Sequence, residues 1–386
     1  MTVPGDAVPL AARAPAPDVA RGAMLLLIAL ANVHLYLYGH PLGVRRYPVP
    51  ESAADRVVTT LQLLLVDGRA YPLFGVLFGY GIGQLAARRV GAGARVPDVI
   101  ATVRRRGLWL LAIGVVHAAL LWSGDIVGAY GVLAAAFAGL LVAGTAVSLA
   151  TTAVTGTLLA TLLGAFSGFS PRGATVPVRS VATADPLAAV ALRLAEWGGG
   201  VLINSVLGVV GAVALGAWAA RSRLLDDPAR HRRPLTRVAA VGLAAAVLGG
   251  LPLALAGARL WEPGPGALLL AGALHTLGGY AGGLGYAALF GLLVAHSTGP
   301  VRRALGACGQ RSLSCYLGQS VLFVALLPAW TLGLGARLSV AQAALLGVAV
   351  WLALLIAAVA SARAGYRGPA EVLLRRLTYG KAASHR

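Results

Sequence analysis

The chain of 386 residues has few charged side chains: only 12% are Asp, Glu, Lys or Arg, whereas 58% are hydrophobic. A soluble globular domain carries about 25% charged residues, so this chain has too few of them to cover a water-facing surface. This scarcity excludes soluble enzymes, disordered regulators and nucleic-acid modules. The composition instead predicts an all-α, polytopic integral membrane protein whose surroundings are the lipid bilayer.

Acidic residues, lysine and cysteine are also scarce. There are 13 acidic residues against 32 basic ones, and Lys381 is the only lysine. Such a basic balance in a soluble protein would indicate nucleic acid, but this chain has no basic soluble domain, so no nucleic-acid partner is expected. The two cysteines, Cys308 and Cys315, and seven scattered histidines show no zinc-binding spacing. We therefore expect no metal site. Free thiols are expected because the two cysteines fall at a cytoplasmic loop and a helix start in the predicted topology.

Ten apolar stretches have about the length that a membrane-crossing helix needs. The predicted spans are 21–38, 70–87, 105–122, 126–144, 147–166, 200–220, 238–257, 268–296, 312–332 and 341–361. Residues 57–66 are too short to cross alone and are interpreted as a re-entrant or interfacial helix. With both ends placed inside, 23 of the 32 basic residues fall on the inner side and nine on the outer side. The positive-inside rule therefore predicts cytoplasmic N- and C-termini.

The same stretches predict the organisation of the chain. Residues 1–20 contain two aspartates and no cleavage site, which favours a retained cytoplasmic segment over a secretory signal. The predicted parts are that segment, an N-terminal transmembrane bundle (21–166), an extracytoplasmic loop with an interfacial segment (167–199), a C-terminal transmembrane bundle (200–361) and a basic cytoplasmic tail (362–386).

Polar side chains within the first span are candidates for chemistry, because such groups are costly in hydrocarbon. Asn32 and His40 share one helical face with Tyr36, and His34 lies on a second face. A histidine can act as a general base near neutral pH, and an asparagine can donate to an oxyanion. We therefore predict catalytic roles for His34, His40 and Asn32; the alternative is an interfacial belt of Tyr and His without catalysis.

Other polar residues are predicted to lie in the outer half of the membrane. Asp67 and Arg69 stand at a helix entrance, where they could cap the helix, pair or meet a substrate phosphate. His117 in the third span is either a buried histidine satisfied by a neighbour or part of a functional site. Asp125, at the start of the fourth span, fits a helix cap equally well. Their convergence with the first-span residues favours substrate binding.

The ninth span carries a stripe of polar residues, which either form hydrogen bonds between helices or line a pocket. It contains Ser312, Tyr316 and Gln319 or Ser320, and His275 in the eighth span has the same two interpretations. No Gly-x-Ser-x-Gly elbow is present, so a serine hydrolase is not expected.

Four stretches, in this order, resemble the YeiB-like family of bacterial membrane proteins (domain of unknown function 418). They are 18–32, 67–79, 117–126 and the C-terminal half, which contains 309–320 (GQRSLSCYLGQS, similar to the family's GRMALTNYLLQS) and 366–375. Cys315 stands where the family usually has Asn, and Arg69 where Lys is common. The resemblance covers nearly the whole chain.

The family distantly resembles transmembrane acyltransferases such as heparan-alpha-glucosaminide N-acetyltransferase, which has a similar Arg-Gly start and an Asn eleven residues later, as Arg21 and Asn32 stand here. The resemblance implies transfer of an acyl group from a cytoplasmic acyl-thioester, with acyl-coenzyme A as co-substrate, to an extracytoplasmic acceptor. It also implies a bacterial plasma membrane. The predicted substrate-binding residues are Arg21, Asp67, Arg69, His117, Asp125, Ser312, Tyr316 and Gln319.

Two other functions stay open on the sequence. A transporter or exporter of a small or lipid-like solute would use the Gly-rich second and eighth spans as moving parts. A non-catalytic membrane scaffold would use the polar residues as interhelical glue. Assembly into a homo-oligomer is compatible with all three hypotheses.

Overall fold

The computed structural model describes residues 15–171, 173–296 and 298–380, and within these ranges it is all-α apart from one isolated bridge between Leu42 and Pro48. The predicted fold class is therefore confirmed. The helices are α1 Pro15–Val33, α2 Ala53–Leu65, α3 Ala70–Gly91, α4 Val96–Leu120, α5 Val127–Ala136, α6 Ala138–Ala143, α7 Ala146–Ala165, α8 Arg179–Ala182, α9 Pro186–Glu196, α10 Leu202–Ala220, α11 Arg232–Gly257, α12 Pro265–His296, α13 Pro300–Gly309, α14 Ser312–Leu326, α15 Val340–Arg363 and α16 Pro369–Tyr379.

Seven segments in the described part of the chain are long and apolar enough to cross a membrane. They are Pro15–Tyr36, Ala53–Gly91, Ala146–Gly168, Pro186–Ala220, Arg232–Gly257, Pro265–Ala295 and Val340–Arg363. Helices α5 and α14 are apolar but shorter, and α4 is 25 residues long with three consecutive arginines. The total of ten spans stays a prediction.

Helix packing fixes the direction of the spans relative to one another. Trp351 Nε1 of α15 donates to the carbonyl of Gly22 in α1 at 3.1 Å, whereas Gly347 of α15 lies against the other end of α1. These two helices are therefore antiparallel. Arg21, near the start of α1, lies beside Gly81 in the second half of α3. The start of α1 and the ends of α3 and α15 thus meet at one end of the bundle, which we call the basic end because α3 and α15 finish there in arginines. The other is the far end.

Glycine allows the closest helix contacts. A Cβ on Gly79 of α3 would lie 1.9 Å from the backbone oxygen of Val213 in α10. A Cβ on Gly309 of α13 would lie 1.7 Å from the backbone oxygen of Asp18 in α1. Small residues let backbones approach in this way, and dispersion contacts then stabilise the pair of helices.

The second span is interrupted between α2 and α3. Gly68 adopts φ +77°, and a Cβ there would lie 2.9 Å from Nε2 of His275 in α12. The backbone N–H groups of Val66 and Asp67 both donate to Gln62 at the end of α2. Because the chain turns here instead of continuing as a helix, Asp67 and its neighbours enter the interior of the bundle.

Candidate functional site

One buried cluster forms around this interruption, and we call Arg45, Asp67, Arg69 and His275 the arginine cluster. Arg45 donates to both carboxylate oxygens of Asp67, with Nη2 at 2.9 Å from Oδ1. Arg69 donates through Nη1 to the backbone oxygen of Asp67 and through Nη2 to that of Ala246, at 2.6 Å. Nη1 of Arg69 also lies 3.1 Å from both ring nitrogens of His275. Arg69 and His275 are fully buried and Asp67 nearly so.

Arg45 reaches Asp67 because the loop after α1 folds back over the bundle. The backbone N–H of Gly43 donates to Tyr47 at 2.7 Å and closes a tight turn. Within it, Arg45 and Arg46 have φ of 52° and 61°. Left-handed backbone is costly for residues other than glycine and is usually held by its surroundings. Burial opposes the charge on Arg45, but the Asp67 carboxylate outweighs it and raises the pKa of Arg45 above its ordinary value.

His34 lies beside this cluster. Its ring stacks on Tyr47 with centroids 3.7 Å apart and planes 6° apart, and it is within electrostatic range of Asp67 and Arg45. Burial, and next the Asp67 carboxylate, raise the pKa of Tyr47 well above its usual value, so this hydroxyl stays protonated. The structure thus brings together three of the predicted residues, His34, Asp67 and Arg69.

A second buried cluster links three side chains from three helical regions, and we call Asp125, His117 and Ser320 the relay. Nδ1 of His117 lies 2.8 Å from Oδ1 of Asp125, and Nε2 lies 2.8 Å from Oγ of Ser320. An ionised Asp125 only accepts, so Nδ1 carries the proton and Nε2 accepts from the serine hydroxyl. All three residues are at most 5% exposed. Serine and cysteine acyl-transfer enzymes use the same order of groups to activate a nucleophile.

Helix ends and glycine hold the relay in place. Asp125 also accepts from the backbone N–H groups of Val127 and Gly128 at the start of α5, at 3.1 and 2.6 Å. A Cβ on Gly114 of α4 would lie 2.4 Å from the backbone of Gly128, so this crossing needs glycine. The Tyr316 hydroxyl accepts from the backbone N–H of Ile126 at 3.4 Å.

Unpartnered polar atoms border the relay. The ring of Tyr36 stacks on Trp122 at 4.3 Å and lies 5.6 Å from Phe323, one helical turn beyond Ser320. The Tyr36 hydroxyl and the Trp122 indole N–H are both buried and have no hydrogen-bond partner within the described residues. Buried donors of this kind are normally satisfied, so both groups are candidates for contact with a ligand oxygen.

The other predicted residues lie apart from both clusters. His40 is in the loop after α1, with Nδ1 3.6 Å from the exposed carboxylate of Glu51. Asn32 is half-buried, and in the described part of the chain its side chain makes no hydrogen bond. Gln319 donates to the backbone oxygen of Leu25 in α1 at 2.8 Å.

Two predicted substrate-binding residues are at the basic end. Arg21 pairs with Asp18 at 2.9 Å near the start of α1, and Ser312 begins α14. Glu371 of α16 caps α14, because its carboxylate accepts from the backbone N–H groups of Leu313 and Ser314.

Sequence reasoning missed Arg45 and gave Ser320 only as an alternative to Gln319. In the sequence Arg45 looks like an ordinary loop arginine. The one available signal is Gly43, two residues earlier, which indicates a turn that could direct the Arg45 side chain inward. Ser320 lies one helical turn from Tyr316, so the polar stripe was the available signal. In the described ranges, no three His, Cys, Asp or Glu side chains are grouped as ligands for a metal ion.

The fold and its buried polar clusters define a polytopic α-helical membrane protein. Residues 219–381 match the family described as "Protein of unknown function (DUF418)". The C-terminal part of the chain is therefore similar to this family, in agreement with the resemblance of its motifs. The chain is also similar to the uncharacterized protein YxaH of Bacillus subtilis (strain 168), with 30% identity over 122 residues, covering 30% of this chain and 29% of the relative. The match thus spans less than a third of the relative's length.

Proposed function

We propose that this protein is a membrane-embedded acyltransferase in which Ser320 is the acyl-accepting nucleophile. One observation carries the proposal: His117 bridges the Asp125 carboxylate and the Ser320 hydroxyl at 2.8 Å on each side, in a buried part of the bundle. His40 is a weaker candidate for the base because its partner, Glu51, is exposed. His34 stacks against Tyr47 and contacts no hydroxyl nucleophile among the described residues.

The chemistry proceeds in two half-reactions. Ser320 Oγ forms a bond to the acyl carbon while the carbon–sulfur bond of the thioester breaks; His117 takes the hydroxyl proton and passes it to the thiolate that leaves. A hydroxyl or amine acceptor then forms a bond to the acyl carbon while the bond between that carbon and Ser320 Oγ breaks; His117 takes the acceptor's proton and gives it to Oγ. Asp125 keeps Nδ1 protonated and stabilises the imidazolium, and the free N–H of Trp122 can donate to the oxyanion.

The charge distribution supports acyl-coenzyme A as donor from the basic end. An open groove of about 550 Å³ there is lined by Arg232, Arg233, Thr236 and Arg237 at the start of α11. Guanidinium groups bind phosphates through paired hydrogen bonds, and several of them attract a polyanion. Placing this end in the cytoplasm of a bacterial plasma membrane satisfies the positive-inside rule and puts both termini inside.

The test is single-turnover acylation of the purified full-length protein. Radiolabelled acetyl-coenzyme A should release free coenzyme A thiol and leave label on the protein after denaturation, in the peptide that contains Ser320. Ser320→Ala and His117→Gln should abolish labelling while thermal unfolding stays cooperative. His40→Gln is the matched control and should label like the wild type. Label in Ser320→Ala at the wild-type rate would overturn the proposal.

Transport of a solute is the second candidate, and the interruption between α2 and α3 favours it. Broken helices with charged groups at the break line the binding sites of many secondary transporters. Here the break at Gly68 holds Asp67 and Arg69 in the interior. Flux of a solute into proteoliposomes without covalent change, together with the absence of label on Ser320, would establish this alternative instead.

A further inference from the structure

We propose that the arginine cluster binds one oxyanionic group, a carboxylate or a phosphate, of the protein's ligand. The cluster has two guanidinium groups, Arg45 and Arg69, but a single carboxylate, Asp67. With a neutral His275 it therefore has one excess positive charge. This inference goes beyond acyl transfer, because it holds whether the ligand is an acyl acceptor or a transported solute.

No second acid neutralises that charge within the described residues. Every other described acidic side chain has its contacts elsewhere: Asp18 with Arg21, Glu51 with His40, Asp55 with the start of α15, Asp98 with Arg95, Asp125 with His117, Asp185 with α9, Glu196 with Ser180, Asp226 with Tyr80, Asp227 with the backbone of Arg230, Glu262 with Arg259 and Glu371 with α14.

A buried charge without a counter-ion is costly, because removing an ion from water costs several kcal/mol even after relaxation. Arg69 is 0% exposed, and backbone oxygens satisfy its two Nη groups. The dipoles of these backbone carbonyl groups lower the cost of burying Arg69, but they do not neutralise the excess positive charge of the arginine cluster. A bound anion would remove the excess, and charge-assisted hydrogen bonds to arginine are among the strongest in proteins.

Unpartnered donors in the same place indicate that a ligand completes the site. Nε of Arg69 and the hydroxyl of Tyr47 are buried and have no hydrogen-bond partner in the described structure. Tyr47 stacks on His34 and is within electrostatic range of both arginines. Both of Gln62's amide atoms, in the last turn before the break, are likewise buried and unpartnered. Nε of Arg69, the Tyr47 hydroxyl and Nε2 of Gln62 can donate and suit an oxygen-rich group, whereas Oε1 of Gln62 only accepts.

The ligand's path to the cluster leads past Arg45. Its side chain is 19% exposed, against 8% for Asp67 and 0% for His275. The tight turn around Arg45 is pinned to the segment before α8, where the N–H of Gly39 donates to Thr175 and that of Leu42 to Ala174. An anion entering at this loop meets Arg45 first and then reaches Arg69.

The experiment measures anion binding directly, without any reaction. Thermal unfolding of the detergent-purified full-length protein is followed in inorganic phosphate, acetate and chloride at one ionic strength and pH. Phosphate or acetate should raise the unfolding temperature in a saturable manner, and chloride should not. A parallel series with phosphatidylglycerol in the micelles distinguishes a lipid headgroup from a free anion: saturation by the lipid alone assigns the site to headgroups.

If the excess charge binds the anion, two substitutions should change the affinity for the anion in opposite directions. Arg45→Gln removes the excess charge and should weaken anion binding at least tenfold, whereas Asp67→Asn adds to the excess and should strengthen it. Arg45→Lys keeps the charge and should retain saturable binding, which separates loss of charge from loss of fold. Arg46→Gln, in the same turn but directed to the backbone oxygen of Pro177, is the matched control and should bind like the wild type. No saturable effect of any probe on the wild type, or equal losses in Arg45→Gln and Arg46→Gln, would overturn the proposal.

Discussion

Asp125 contacts His117 and the start of α5 with the same carboxylate: Oδ1 lies 2.8 Å from Nδ1 of His117, and Oδ2 accepts from the backbone N–H of Gly128 at 2.6 Å. The residue therefore has a structural role in capping a helix and a second role in orienting an imidazole. A substitution that keeps the first role and changes the second can separate them.

Asp125→Asn is that substitution. An asparagine oxygen still accepts from the backbone of α5, so we expect a loss of stability below about 2 kcal/mol. Its amide N–H₂ donates towards Nδ1 and favours the tautomer that cannot accept from Ser320, so single-turnover acylation should fall at least about 100-fold. Thermal unfolding and coenzyme A release measure the two effects.

Asp185→Asn is the matched control for this prediction. Asp185 caps α9 by accepting from the backbone N–H groups of Leu187 and Ala188 at 2.7 and 3.0 Å, but it contacts no histidine among the described residues. It should show the small stability loss and normal acylation. Equal rates of single-turnover acylation in the wild type and Asp125→Asn would contradict the prediction and show that Asp125 only caps α5.

Gly79→Ala tests the close packing of α3 on α10. A Cβ at this position would lie 1.9 Å from the backbone oxygen of Val213, so the helices must separate. Overpacking of this kind costs about 1–3 kcal/mol, and we expect a lower unfolding temperature. Gly208→Ala in α10 is the control, because nothing lies within 4 Å of its Cβ, and a better helix former there should not destabilise. Equal unfolding temperatures for both variants would contradict the proposed contact.

Much of the fold could be predicted because the thickness of the bilayer determines how long an apolar run must be. The predicted span 70–87 lies within α3, and 268–296 lies within α12. Span ends were less predictable. α14 ends at Leu326 although the predicted span continues to 332, because Pro328 has no backbone N–H to extend the helical hydrogen bonds.

The candidate site was predictable only in part, since membership of a cluster depends on contacts between distant segments. Asp67 and Arg69 stood out as charges in an apolar run, which is a local signal. The contact of Arg45 with Asp67 depends on a left-handed turn, and that of Ser320 with His117 spans 203 positions. The hydropathy of the sequence contains no information about either contact.

Glu371→Gln tests how α16 holds the basic end of α14. The Glu371 carboxylate accepts from the backbone N–H of Leu313 at 2.7 Å and from Ser314. An anion at a helix N-terminus is favourable, so its neutralisation should cost about 1–2 kcal/mol. We expect faster proteolysis between α15 and α16. Glu262→Gln removes only an exposed ion pair with Arg259, so it should leave the rate of proteolysis unchanged. An unchanged rate in Glu371→Gln as well would contradict a stabilising role for the Glu371 cap.

The contact between Cys308 and Cys315 should lower the reactivity of the Cys308 thiol. Their sulfur atoms lie 3.8 Å apart across the junction of α13 and α14, and both are buried. The hydrogen bond to Cys315, together with burial, raises the pKa of the Cys308 thiol above its usual value. Because only the thiolate reacts, the thiolate fraction at pH 8 is smaller than for a free cysteine. We therefore expect slow alkylation of Cys308 by iodoacetamide, with the rate still rising above pH 9. Cleavage after Arg311 places the two cysteines in separate peptides, so mass spectrometry can follow each one. The variant Ser222→Cys, at an exposed position, supplies the reference rate of alkylation. Alkylation of Cys308 at that reference rate at pH 8 would contradict the contact.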